Sequence, residues 1–191
     1  MNKAPLVERL EFFKFKYSGS MFDQARRVLR HISDEKIGND HPLHHALWTS
    51  FVVLYGKPFK QRRAIRLDEC VVPADYQEEH NAIMTFRDKM YAHSDLDLLE
   101  QESRDPLNRV MVSLDGGKVQ FAFHFLFPKE AVVKRYGELL EELIRSTSYH
   151  AKKRWDAWVK RKRITMNPSK RYTINTAADS DDILVEFSPV N

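Results

Sequence analysis

An arginine, a carboxylate and a histidine lie close together in the sequence as Arg87, Asp88 and His93. Histidine has an unperturbed pKa of about 6.5, so it can give or take a proton near neutral pH. A guanidinium meets two phosphate oxygens in a fixed geometry and stays charged while it does so. These residue types suit cleavage of an RNA phosphodiester, in which protons move at the 2′- and 5′-oxygens while the phosphorus centre gains negative charge. We interpret His93 as the proton-transfer group, Arg87 as the phosphate contact and Asp88 as the group that orients one of them.

A plainer interpretation makes Arg87 and Asp88 a solvated charged pair and His93 a polar residue at a helix end.

Helix geometry indicates that one chain alone does not bring Arg87 and His93 together. Six residues rotate through about 600°, which places the two side chains on different faces of a helix. Two chains packed about a two-fold axis can bring the arginine of one chain to the histidine of the other. The spacing therefore predicts a homodimer with this helix at or near the interface.

A basic segment with two tryptophans is the second candidate. Trp155 and Trp158 are interleaved with seven cations, against the single acid Asp156. Basic and aromatic side chains together suit phosphate contacts and base stacking, so the segment is a candidate RNA-binding surface. An alternative interpretation has equal weight: both tryptophans continue the apolar stripe of a long helix and belong to the core. The seven cations are Lys152, Lys153, Arg154, Lys160, Arg161, Lys162 and Arg163.

Three histidines, His41, His44 and His45, lie near one another, and the first and last are four residues apart. No HExxH arrangement accompanies them, and histidines near a helix start beside Trp48 are typical of local packing and capping. No glycine-rich phosphate loop of the Rossmann or P-loop type occurs in the sequence. We therefore expect neither a metal site nor a cofactor.

The segment from Phe86 to Asp95 reads FRDKMYAHSD. It resembles the signature of the HEPN superfamily, in which an arginine and a small polar residue precede a histidine by four to six positions. Arg87, Asp88 and His93 each match a position of that motif. The aromatic and Pro-Phe segment at residues 54–59 is similar to the one that precedes the motif helix in HEPN proteins of the abortive-infection type.

The resemblance implies an antiparallel helical bundle, usually a homodimer, in which two copies of the motif face each other across a cleft. Many members are metal-independent endoribonucleases of toxin–antitoxin, phage-defence or RNA-processing systems. Others lack activity and bind nucleotides or partners. An antitoxin protein is accordingly an expected partner, together with RNA and a second copy of the chain.

Hydrophobic periodicity predicts four helical regions. These cover residues 20–32, residues 41–55 with a stop at Gly56, a helix from Pro73 to about His93, and a long helix that opens at Pro128 and has a candidate break at residues 146–148. Between the last two helices, alternating apolar residues around Asp115-Gly116-Gly117 predict a β-hairpin over residues 109–126. Residues 183, 185 and 187 alternate well enough for a short strand or a docked arm.

The predicted fold is thus mainly α: a HEPN-like antiparallel bundle with a β-hairpin inserted before a long C-terminal helix. At 191 residues, the chain fits one helical domain over residues 1–163 and a C-terminal arm or tail over residues 164–191. The single cysteine, Cys70, favours the reducing cytoplasm. No secretory or membrane-spanning segment is evident, so we expect a cytoplasmic protein without a membrane partner.

Three functions are compatible with these features. The first is a metal-independent endoribonuclease that acts as a toxin or phage-defence effector, and the presence of both Arg87 and His93 favours it. The second is a catalytically silent module of the same fold that binds RNA, nucleotide or a protein partner. The third is a helical interaction domain in which the long helix from Pro128 is the contact surface. Fold resemblance alone does not choose among them.

Overall fold

A computed structural model describes residues 4–37, 41–61, 65–92, 110–115, 118–123, 128–162, 171–174 and 183–186. The mainly α fold class is confirmed. Four α-helices carry most of the described residues, and two pairs of short strands accompany them. The helices are α1 (Ala4–Asp34), α2 (His44–Gly56), α3 (Gln77–Ala92) and α4 (Glu130–Lys162).

Helices α1 and α4 form an antiparallel pair. Near the start of α1, the ring centre of Phe12 lies 5.5 Å from that of Trp155, which is near the end of α4. Near the end of α1, Arg26 donates a hydrogen bond to Glu141 in the first half of α4. Between these contacts the helices approach closely, because a Cβ atom at Gly19 would lie 3.0 Å from Oγ1 of Thr147. This pair is the scaffold of the molecule.

The predicted start of α1 at residue 20 is wrong, since the helix begins at Ala4. Ser20 and its neighbours are typical N-cap residues in the sequence, but residues 18–20 lie inside α1, and α4 approaches closely at Gly19. Ser18 is fully buried, and its hydroxyl donates to the backbone oxygen of Lys14 within the helix. The close contact with α4 thus accounts for small residues in the middle of α1 that local propensity places at a helix start.

Helix α1 ends at a residue with left-handed backbone. Lys36 has a φ of 48°, and the amide of Ile37 donates to the carbonyl oxygen of Ile32 at 3.0 Å. This is the Schellman pattern, which satisfies carbonyl groups that the last helical turn leaves free. It also places Ile37 in the core, where only 7% of it is exposed.

Helix α2 lies against the α1–α4 pair and supplies aromatic side chains to the core. Phe51 stacks on Tyr136 of α4 at 5.9 Å, and Tyr55 packs against Phe22 of α1 at 5.9 Å. A 3₁₀ turn, Lys57–Lys60, follows directly and buries Phe59. The helix predicted for residues 41–55 is therefore present, with its start at His44.

Helix α3 is attached to both α2 and α4. Two further 3₁₀ turns, Glu69–Val71 and Ala74–Tyr76, lead into it. Arg135 of α4 donates to Glu79 at 2.8 Å and lies 4.5 Å over the ring of Tyr76. These contacts fix the first turn of α3, whose other end carries Arg87 and Asp88.

Helix α4 runs without a break through residues 146–148, where the sequence offers a candidate interruption. Thr147 is buried, and its hydroxyl donates to the carbonyl oxygen of Leu143 at 2.7 Å. Serine and threonine can satisfy their hydroxyl groups in this way inside a helix. The polar residues at this point therefore leave the helix intact.

Two pairs of strands complete the described structure. Strands β1 (Val110–Asp115) and β2 (Lys118–Phe123) pair antiparallel within the region of the predicted hairpin, whose remaining residues lie outside the described ones. Strands β3 (Arg171–Ile174) and β4 (Ile183–Glu186) also pair antiparallel. The division of the chain at residues 163 and 164 stays a prediction.

Candidate active site

Arg87 and Asp88 lie one turn before the end of α3. Nη1 of Arg87 donates to Oδ1 of Asp88 at 2.5 Å, while Nζ of Lys60 donates to the other carboxylate oxygen at 3.0 Å. The Arg87 side chain is 26% exposed and that of Asp88 is 40% exposed. One carboxylate thus lies between two cations at the surface, and the cluster carries a net positive charge.

Gly56 determines where the Arg87 side chain can lie. A Cβ atom at Gly56 would lie 2.3 Å from Cδ and 2.9 Å from Nε of Arg87. Real Cβ contacts are essentially never that short, so any other residue at position 56 displaces the arginine. The last residue of α2 is therefore part of the site, although it has no reactive group.

The charge of Asp88 is stabilised by its two partners. Burial raises the pKa of this carboxyl group, but the hydrogen bonds from Lys60 and Arg87 outweigh it and bring the pKa below its ordinary value. Asp88 is consequently an anion at neutral pH and can only accept hydrogen bonds. It suits the role of orienting Arg87 better than that of exchanging protons.

A buried polar pair lies on the same side of α3 as Arg87. The Tyr55 hydroxyl and Nδ1 of His80 are 2.8 Å apart and share a hydrogen bond. His80 is 1% exposed and Tyr55 is fully buried. Seven residues separate His80 from Arg87, close to two full helical turns, so both side chains face α2.

Burial shifts the pKa values of this pair in opposite directions. It lowers the pKa of His80, as does the nearby charge of Lys60, while Glu69 acts the other way. Burial also raises the pKa of Tyr55 well above its ordinary value. Both groups are therefore neutral at neutral pH, and their hydrogen bond fixes α3 against α2.

The sequence interpretation includes Arg87 and Asp88 but misses Gly56, Lys60 and His80. Two signals point to the missed residues: His80 precedes the arginine by two helical turns, and Lys60 follows the aromatic segment at residues 54–59. The structure brings Arg87, Asp88 and Lys60 together. His93 lies outside the described residues.

The basic segment is largely exposed on the last turns of α4. Lys152, Lys153, Arg154 and Lys160 are exposed, Arg161 and Lys162 are the final two residues of the helix, and Arg163 lies outside the described residues. Lys152 forms an ion pair with Asp156 at 2.6 Å, and Arg154 lies 3.8 Å from Glu11 of α1.

The two tryptophans of this segment differ. Trp158 is 5% exposed and belongs to the interior, as the core interpretation predicts. Trp155 is half-buried, with its ring centre 5.3 Å from that of Trp158. Only Trp155 retains a surface that another molecule can contact.

The histidines near the start of α2 make local contacts. Nδ1 of His41 accepts the backbone N–H of Leu43 at 3.2 Å, and Nε2 of His44 accepts from the indole of Trp48 at 3.0 Å. The contact of His44 with Trp48 is the local packing that the sequence indicates, whereas the N-cap residue of α2, Leu43, makes no side-chain capping hydrogen bond. Among the described residues, no group of three or more potential metal-ligating side chains comes together.

Comparisons with known proteins give no assignment: no family model, no curated protein and no solved structure matches the chain. None of the helices in the described part of the chain combines the length and the apolar character that crossing a membrane requires. The interpretation of the site therefore depends on its own geometry and chemistry.

Proposed function

We propose that the protein is a metal-independent endoribonuclease of the HEPN type that works as a homodimer, as a toxin or phage-defence effector. The observation that carries the proposal is the half-buried Arg87, held between Gly56 and Asp88 at the end of α3, six residues before His93. An arginine in a defined position at the surface is what phosphate recognition needs.

The chemistry follows from the properties of the side chains. The 2′-hydroxyl of the substrate loses its proton and attacks the adjacent phosphorus, while the bond to the 5′-oxygen breaks and that oxygen gains a proton. His93 performs one of these proton transfers. Arg87 binds the phosphate oxygens as negative charge grows on them, which is usually the larger electrostatic contribution. The products are a 2′,3′-cyclic phosphate and a 5′-hydroxyl end.

Asp88 and Lys60 support the arginine in this scheme. Asp88 accepts one N–H of Arg87 and leaves the other donors of the guanidinium to the substrate. Lys60 offsets the negative charge of Asp88, so that the cluster still attracts an anion. The packing of four helices, with Arg87 and Asp88 on the third, supports the HEPN-like bundle as the fold behind this site.

The decisive experiment incubates purified protein with single-stranded RNA and with DNA in the presence of EDTA. RNA should be cut to cyclic-phosphate ends, and DNA should survive because it lacks the 2′-hydroxyl. His93→Ala should lose about 10²–10⁴-fold in rate through the lost proton transfer. His31→Ala, which changes an exposed histidine of α1, is the matched control and should cleave normally. Cleavage by His93→Ala at the wild-type rate would rule out the assignment.

Mixing two inactive variants tests the dimer. If Arg87 of one chain works with His93 of the other, then a mixture of Arg87→Ala and His93→Ala proteins regains cleavage. Random pairing makes half of the dimers mixed, each with one intact site of two, so about a quarter of wild-type activity should return. A mixture that stays inactive, although sedimentation shows mixed dimers, would mean that each chain contains its own complete site.

One observation favours the catalytically silent RNA-binding module as the second candidate. The guanidinium of Arg87 already spends one strong hydrogen bond on Asp88 at 2.5 Å, which reduces the positive charge that it presents to a phosphate. If the protein is such a binding module, Arg87→Ala weakens RNA binding, and the wild-type protein binds RNA without cleaving it. The cleavage experiment above separates the two functions.

A further inference from the structure

Two open grooves lie end to end on one surface of the α1–α4 pair. One groove, of about 640 Å³, lies near the start of α1 and is lined by Phe12, Lys16, Lys152 and Trp155 among others. The second, of about 680 Å³, lies towards the end of α1 and includes Arg26, Arg30 and Glu141. Both volumes fall within the roughly 300–1,000 Å³ that ligand-binding clefts occupy. We call the first groove the aromatic groove and the second the ion-paired groove.

Charge distinguishes the two grooves. In the ion-paired groove, Glu141 accepts hydrogen bonds from both Arg26 and Arg30 at 2.9 Å. Glu130 and Glu138 also line it, so its acids balance its cations. A polyanion gains little there, because it would have to displace carboxylates that already hold the arginines.

The aromatic groove has a different balance. Its cations are Lys16 and Lys152, both exposed, and the one carboxylate that lines it is Asp23. Asp23 forms ion pairs with Arg26 and Arg27, so its charge is already neutralised. Lys152 also pairs with Asp156 at 2.6 Å, but that pair is exposed and contributes little, and Asp156 does not line the groove. The two lysines therefore still give this groove a net attraction for anions.

The walls of the aromatic groove suit a flat ring. Gly19, Ser20, Ser148 and Ala151 also line this groove, and their small side chains leave it open above the close contact of the two helices. Trp155 is half-buried, and its ring centre lies 5.5 Å from that of Phe12, with the two rings tilted by 40°. An aromatic side chain fixed in this way is a stacking platform, and base stacking depends little on the base.

We propose that the aromatic groove binds single-stranded RNA, with a base stacked on Trp155 and the adjoining phosphates held by Lys16 and Lys152. The proposal rests on the RNA-directed function above, and adds a binding site on α1 and α4 that is separate from Arg87. Phosphate contacts from lysines position a strand without reading its sequence. The groove therefore adds affinity for RNA and leaves base preference to other parts of the protein.

The test measures binding of a short, mixed-sequence 2′-O-methyl oligoribonucleotide to the full chain. This probe cannot be cut through its blocked 2′-oxygen, so binding is measured apart from cleavage. Trp155→Ala should weaken binding about tenfold or more, because one stacked base is lost. Lys16→Ala should weaken it and reduce the slope of log affinity against log salt by about one.

Matched controls lie on α4 and just after α1. Tyr149→Ala removes an aromatic residue of α4 that is 62% exposed and does not line the groove. Lys36→Ala removes an exposed lysine after the end of α1. Both should bind the probe as wild type does. Lys16 is exposed, so its replacement does not threaten folding, and Trp155→Phe keeps a ring in place and should retain most of the affinity.

Each outcome has a separate meaning. If wild type binds and both Trp155→Ala and Lys16→Ala bind equally well, the groove is not the site, and the nuclease proposal is untouched. If the groove variants lose affinity but unmodified RNA is not cleaved, the groove stands and the nuclease assignment fails. If Trp155→Ala instead dissociates a dimer, a second copy of the chain occupies the groove and the RNA proposal for it is overturned.

Discussion

Two glycines meet side chains of neighbouring helices, and their surroundings differ. Gly19 in the middle of α1 faces Thr147 of α4, whose hydroxyl is buried and already bonded to the backbone of its own helix. Gly56 at the end of α2 faces Arg87 of α3, a long side chain that is one quarter exposed. The first neighbour cannot move away without breaking a buried hydrogen bond, whereas the second can swing towards solvent.

Because their neighbours differ, a substitution at Gly19 should affect stability, whereas one at Gly56 should affect the position of a functional group. At Gly19 an added methyl group acts on the packing of the two longest helices, so its effect should appear in the free energy of unfolding. At Gly56 the same methyl group displaces one guanidinium and leaves the core intact, so its effect should appear in the chemistry. Equivalent substitutions at the two positions therefore test whether the end of α3 is a site or only a surface.

The largest effect is expected for Gly56→Ala. The Cβ atom pushes Arg87 away from its present position, and a displacement of about 1 Å at a reacting centre can lower a rate roughly 10²-fold. RNA cleavage should fall by about that factor, while urea denaturation shows little change in the free energy of unfolding. Gly137→Ala is the control, because nothing lies within 4 Å of a Cβ atom there. It should leave cleavage unchanged and stabilise α4 by up to about 1 kcal/mol.

Unchanged cleavage by Gly56→Ala, together with normal folding, would mean that the position of Arg87 is unimportant for activity. A large loss of stability in that variant would instead make Gly56 resemble Gly19. Either result would contradict the view that Gly19 serves helix packing whereas Gly56 serves the position of Arg87.

A smaller effect, on stability, is expected for Gly19→Ala. The substitution gains about 1 kcal/mol of helix propensity, but overpacking against a fixed neighbour typically destabilises by about 1–3 kcal/mol. We expect a net loss near 1 kcal/mol in urea denaturation. In a Thr147→Ala background the contact is absent, so the same substitution should become stabilising. A stabilising Gly19→Ala in the wild-type background would show that the helices can separate at low energy.

The smallest effect should appear on mild acidification, and it should distinguish the α2–α3 region from the α1–α4 pair. The pKa of His80 is lowered by burial, so the unfolded chain binds more protons below about pH 6.5 than the folded chain does. Stability from this group is complete above that pH and falls as the pH drops towards the folded-state pKa. The pKa of His44 is lowered for the same reason, with His41 and His45 adding to the effect.

The α1–α4 pair should respond only in stronger acid. Burial raises the pKa of Asp23, but hydrogen bonds from Arg26 and Arg27 outweigh it, and the resulting pKa is lowered. Its stabilising effect is therefore lost only as the pH falls below about 3.9. Hydrogen exchange between pH 7 and 5 should show α3 losing protection before α1 and α4. His80→Gln, which cannot titrate, should lessen the pH dependence, and an unchanged profile would exclude His80 as a contributor.

The sequence predicts elements well where the pattern is local and continuous. The apolar spacing of α4, and the glycine and proline at the end of α2, locate both helices. The first half of α1 is missed, because Ser20 and its neighbours are typical N-cap residues and predict a helix start there. Thr147 lies more than one hundred positions away, and no local signal connects it to Gly19.

The candidate site shows the same limit. Arg87 and Asp88 are recognisable as a motif, because their types and order are unusual enough to suggest chemistry. Gly56 carries no such signal, because a glycine after an apolar helix reads as a stop. The two-turn spacing from His80 to Arg87 indicates a shared helix face but does not indicate burial. Their roles come from the packing of α2 against α3, which hydrophobic periodicity does not specify.

The antiparallel pairing of α1 with α4 also has a consequence for synthesis of the chain. Residues that contact α1, such as Glu141 and Trp155, are translated more than a hundred positions after their partners. At about 5–20 residues per second, that delay is roughly 6–29 s. During this time α1 can meet α2, but the side that later packs on α4 remains uncovered. The nascent chain therefore exposes Phe15 and its apolar neighbours to chaperones on the ribosome until the final third has been made.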